Sequence, residues 1–66
     1  MSDAVREMRE IDSIGVARWN DIEYIGWATE HEEVAAYAAK QLVEFRAWAG
    51  VEAIAKRRQR RVLESA

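Results

Sequence analysis

The stretch from Thr29 to Ala49 constrains this chain more than any other segment. Trp27, His31, Val34, Ala38, Leu42, Phe45 and Ala49 recur at three- and four-residue steps, the spacing of one helical face. A weaker apolar stripe, Ala36, Val43 and Ala47, runs roughly opposite. A helix that is apolar on two sides must be covered on two sides. The whole chain has 66 residues, which leaves little to cover it with, so the pattern implies a partner. A domain of this size buries only about 60% of the surface its unfolded chain exposes.

The usual reinforcements of small domains are disulfides, a metal or oligomerisation. No cysteine is present, and one histidine without a thiolate is a poor zinc site. Association therefore remains. The absence of cysteine fits a cytoplasmic setting. No run approaches the length of apolar sequence that spans a membrane, and the charged start MSDAVREMRE has no signal-peptide core. Twelve alanines, no proline and three glycines read as all-helical. Small alanines let helices approach closely, with Trp and Phe filling the larger gaps.

Helix boundaries follow from capping chemistry. Ser2 is a plausible N-cap for a helix over Asp3–Ile14, with Ala4, Val5, Met8 and Ile11 inward and Gly15 at C′. Asn20-x-x-Glu23 resembles a capping box, with Trp19 and Tyr24 placed as a hydrophobic staple, and Gly26 ends a short helix. Thr29-x-x-Glu32 is a second box, with Glu30, Glu32 and Glu33 in the positive first turn, so a break is expected before it. At Gly50 the buried face changes, from Phe45 and Ala49 to Val51, Ile54, Ala55 and Val62. The helix either bends there or continues onto a different neighbour. The expected fold is a single all-α domain over residues 1–66. It has three or four helices with one long central helix, arranged as a helical-hairpin or bundle homo-oligomer. Val34, Ala38, Leu42 and Phe45 form its self-association seam.

Charge is segregated. Residues 1–33 hold nine acids and three bases, net −6; residues 34–66 hold three acids and seven bases, net +4. Head-to-tail or antiparallel contacts are favoured over parallel stacking. Lys56, Arg57, Arg58, Arg60 and Arg61 can be read as a nucleic-acid arm, or as cations complementing a helix C-terminus. No aromatic is interleaved with them, and the pI near 5.3 is not that of a dedicated nucleic-acid binder. An acidic protein surface is an equally good partner, and the run is expected to serve solubility, helix-end electrostatics or such contacts. A mixed face of the long helix carries Glu30, Glu33, Tyr37, Gln41, Glu44 and Trp48. Tyr37 and Trp48 beside Glu33 and Glu44 read as interface anchors with a polar rim, or as rings packed inside an oligomer.

No catalytic motif is present, and the lone His31 reads as a boundary or core residue rather than a general base. Glu30, Glu32 and Glu33 point in different directions around a helix and read as N-terminal acids, not metal ligands. Ala38-x-x-x-Leu42-x-Glu44-x-x-x-Trp48 resembles the second-helix pattern of small phage proteins that sequester cyclic nucleotides in anti-phage signalling. The resemblance implies an oligomeric helical hairpin that binds nucleotide between subunits, without catalysis. The residues themselves point to a non-enzymatic inhibitor or adaptor that needs no cofactor. It docks a protein partner through a helical face and self-associates. Cyclic-nucleotide sequestration and nucleic-acid regulation through the basic run are the alternatives.

Overall fold

The computed structural model describes residues 2–65, and of Ser65 only the backbone. Helix α1 runs Asp3–Asp12, a 3₁₀ turn follows at Val16–Arg18, and α2 runs Trp19–Ala28. Helix α3 spans Glu32–Glu44 and α4 spans Trp48–Ser65. The result is an all-α four-helix globule, with no strand among the described residues. Its Cα extents are 35 × 31 × 14 Å, so the interior is thin and most of its lining side chains are only half-buried.

Ser2 caps α1 as expected, its hydroxyl accepting the Val5 N–H at 3.2 Å. The other end differs. Ser13, not Gly15, closes the helix: its N–H reaches the carbonyls of Arg9 and Glu10, and its hydroxyl donates to the Glu10 carbonyl at 2.7 Å. Gly15 is extended, with φ −84°, and opens the 3₁₀ turn. That turn feeds directly into α2, so the Trp19 N–H already bonds the Val16 carbonyl. The Asn20 box does not form, and α2 carries no side-chain cap.

A break does separate α2 from α3, but Thr29 does not cap α3. Only 3% exposed, Thr29 donates its hydroxyl to Glu7 Oε2 of α1 at 2.9 Å and accepts the His31 N–H at 3.1 Å. His31 occupies the N-cap position without a side-chain cap bond.

The single helix expected over 29–49 is two helices. Arg46 adopts φ 57°, Ala47 N–H bonds the Leu42 carbonyl at 2.8 Å, and Arg46 N–H bonds the Val43 carbonyl at 2.9 Å. This pairing of 6→1 and 5→2 bonds is a Schellman stop, here with arginine where glycine is usual. Gly50 is therefore not a junction. It lies buried inside α4, where an added Cβ would stand 3.1 Å from both Leu42 Cδ1 and Trp19 Cζ3. Gly26 is likewise no terminator. It lies buried in the last turn of α2, which runs on to Ala28, and a Cβ there would meet Ile54 Cδ1 at 2.5 Å and Ala38 Cβ at 2.9 Å.

These contacts give the helix order. Gly26 meets Ala38, and Leu42 meets Gly50, so α3 runs back along both α2 and α4. Trp19 lies near Gly50 and Gly26 near Ile54, so α2 and α4 advance in the same sense. Helix α1 lies mainly on α3. Val34, Ala38 and Leu42 are fully buried with Ile11, Ile22 and Ile54, and Phe45 is half-buried against them. The residues assigned to a self-association seam are thus interior to one chain. Of the opposite stripe, Ala36 and Val43 are exposed, and Ala47 is half-buried against the chain's own core.

Two substitutions probe this packing. Gly26→Ala gains about 1 kcal/mol of helix propensity but overpacks Ile54 and Ala38, typically by about 1–3 kcal/mol. Thermal or urea unfolding should show net destabilisation. Arg46→Gly should instead stabilise, by roughly 0.5–1 kcal/mol, because it relieves a left-handed residue. Opposite signs would contradict the packing at Gly26 and the helix stop at Arg46.

Candidate docking face on α2 and α4

The last four carbonyls of a helix lack partners within it. At the end of α2 they are met by α4. Arg58 donates from Nη1 to the carbonyls of Gly26 (3.2 Å) and Thr29 (2.7 Å), and from Nη2 to Glu32 Oε1 at 2.6 Å. Its side chain is only 16% exposed. Arg61 Nη1 lies 3.2 Å from the Trp27 carbonyl and 3.4 Å from those of Ala28 and Thr29. Two guanidinium groups thus complement the negative end of α2, a different helix from their own.

The basic run is therefore divided by helical phase. Arg58 turns inward as a structural clamp, Arg61 reaches the same carbonyls from an exposed position, and Lys56, Arg57 and Arg60 stay exposed without contacting them. Lys56 pairs with Glu52 one turn back at 2.9 Å, and that hydrogen bond, then the ammonium charge, holds the Glu52 carboxyl below its usual range. Arg60 stands 3.9 Å from Glu64. Arg57 forms no ion pair among the described residues; its guanidinium lies over the Trp27 ring, 4.7 Å from the centroid. Tyr24, 59% exposed, meets Trp27 edge to face at 5.1 Å.

An open hollow of about 360 Å³ is lined by Lys56, Arg57 and Arg60. Beside it lies a smaller one of about 170 Å³, walled by Trp27, Arg57, Arg60, Arg61 and Glu64. No aromatic is interleaved with the run in sequence, yet α2 supplies one in space. Trp27 sits on the apolar stripe and reads as core from spacing alone; only the packing of α2 on α4 brings it under Arg57.

The expected face of Glu33, Tyr37, Glu44 and Trp48 is only partly assembled. Tyr37 is half-buried and donates its hydroxyl to Asp12 Oδ1 of α1. That bond first, then burial and the charges of Asp12 and Glu44, raise its pKa above the ordinary tyrosine value. Glu33 lies 3.8 Å from His31 Nδ1, and Glu7 lies 4.0 Å from His31 Nε2. His31 is thus a boundary residue at an acidic helix start. Trp48, 60% exposed, opens α4 on the far side of the Arg46 stop, so it does not share a helix with Tyr37. The motif from Ala38 to Trp48 straddles the same stop.

Among the described residues no group of three or more His, Asp or Glu could hold a metal ion. No helix of the described chain is long and apolar enough to cross a membrane. Searches against family models, curated proteins and solved structures found no match for this chain.

Arg58 and Arg60 separate the two roles within the run. Arg58→Gln leaves the α2 carbonyls under-satisfied and should cost about 1–3 kcal/mol in chemical denaturation. Arg60→Gln removes an exposed, loose pair and should change stability by about 0.5 kcal/mol or less. Equal effects would mean that Arg58 does not clamp α2.

Proposed function

We propose that this protein is a non-enzymatic binding module, an inhibitor or adaptor, that docks the acidic surface of a protein partner through the outer face of α2 and α4. One observation carries the reading: the Arg57 guanidinium, with no carboxylate partner among the described residues, is stacked on Trp27, whose ring meets the exposed ring of Tyr24. Trp, Tyr and Arg are the residue types that dominate binding hot spots. The stack already holds the arginine and the indole in place, which lowers the ordering cost of association. Exposed Lys56 and Arg60 line the hollow beside Arg57 and favour encounter with negative charge.

The reading moves the docking face away from Tyr37, whose hydroxyl is engaged by Asp12. Nucleic-acid binding gains Trp27 as a stacking surface, but Arg58 and Arg61 are turned to the α2 carbonyls, which leaves a shorter basic track.

Crosslinking capture from source-organism lysate, quantified by mass spectrometry, tests the face. Tyr24→Ala and Arg57→Gln alter exposed side chains and should leave the circular-dichroism spectrum near wild type. Each should weaken capture of the specific partner by about 2 kcal/mol or more. Trp48→Ala should leave capture intact. Loss with Trp48→Ala and retention with the other two would place the interface at the start of α4 instead.

A further inference from the structure

Lys56, Arg57 and Arg60 lie at i, i+1 and i+4 of α4 and by themselves line one open hollow. We propose that this hollow is a phosphate-binding site and that the acidic partner enters it through a phosphorylated side chain; the inference rests on the docking face proposed above. Charge counting within the hollow gives the reason. Lys56 and Arg60 already have carboxylates one turn away on their own helix, Glu52 at 2.9 Å and Glu64 at 3.9 Å. An incoming aspartate or glutamate would exchange one single negative charge for another and gain little. A phosphorylated serine or threonine brings close to two negative charges and three acceptor oxygens. It can engage all three cations at once, in short charge-assisted hydrogen bonds. Among the described residues Arg57 has no carboxylate to give up; it has its stack on Trp27.

The adjoining hollow shares Arg57 and Arg60 and is walled by Trp27. A residue next to the phosphorylated one would meet the indole there, so an apolar or aromatic neighbour fits. A long nucleic-acid strand fits less well. On leaving the hollow it would pass Glu64 on α4, and Glu30 and Glu32 line the cleft at the end of α2. The first half of the chain also carries net −6. A single phosphorylated side chain needs only the hollow.

Side-chain NMR titration of the full chain is the test. The probes are a short acidic peptide with one phosphoserine beside a phenylalanine, the same peptide with glutamate in its place, and an oligothymidylate of similar length. The phosphopeptide should shift the Arg57 and Arg60 Nε–H and Trp27 Nε1–H signals. It should bind at least about tenfold tighter than the glutamate form, the worth of one charge-assisted hydrogen bond. Arg57→Gln and Arg60→Gln should each reduce that affinity by about tenfold or more, with melting unchanged, whereas Arg6→Gln on α1 should not. Equal affinity for phosphoserine and glutamate peptides, or no shift at the two arginines, would overturn the proposal. Tighter binding of the oligothymidylate would overturn it in favour of a nucleic-acid strand. Partner capture that depends on Tyr24 and Arg57 yet survives phosphatase treatment would sink the phosphate site and leave the docking face standing. Capture indifferent to both residues would sink the docking face itself.

Discussion

The absent side chain of Gly26 is what the rest of this fold depends on. Ile54 and Ala38 occupy the space a Cβ would need, so α2, α3 and α4 meet at one point. Gly50 repeats the device between Leu42 and Trp19. Each glycine costs its helix about 1 kcal/mol against alanine. In return the helices approach closely enough for a short chain to bury Ile22, Val34, Leu42 and Ile54. Once Ile54 is locked at Gly26, the residues one turn further along α4 are fixed too. Arg58 reaches the α2 carbonyls, and Arg57 falls on Trp27.

That register divides a uniform-looking basic run into unlike parts. Arg58 and Arg61 perform the task of a C-cap for a helix they do not belong to. Lys56, Arg57 and Arg60 keep their charge at the surface, with Arg57 stacked on Trp27. Structure and docking are thus coupled: any change that loosens α4 from α2 also dismantles the face. Arg58 variants should therefore impair binding through folding, and Arg57 variants without it.

The sequence made parts of this legible and hid others for physical reasons. Ser2 announced α1 because a cap is a local interaction, and the break between α2 and α3 was readable for the same reason. Gly15, Gly26 and Gly50 misled, because glycine serves turns and close packing alike and only the neighbours decide which. The stop at Arg46 carried no signal, since a Schellman turn is usually marked by glycine. Thr29 looked like a cap, but its hydroxyl went to Glu7, a partner twenty-two positions away. Leu42 and Val34 were correctly seen as apolar contact residues; that the cover came from the chain's own helices was not readable from one helix's spacing. Trp27 and Arg57 could not be paired without knowing that α2 and α4 advance together.

The central claim is that one chain covers its own long apolar face, with Ile54 seated at Gly26. Isotope-filtered NOE spectroscopy on a mixture of labelled and unlabelled protein tests it most directly. The account predicts strong contacts from the Ile54 δ-methyl to the Gly26 Hα protons and the Ala38 methyl within the labelled chain, unchanged on dilution. Contacts that appear only between labelled and unlabelled chains, or that are absent, would contradict it.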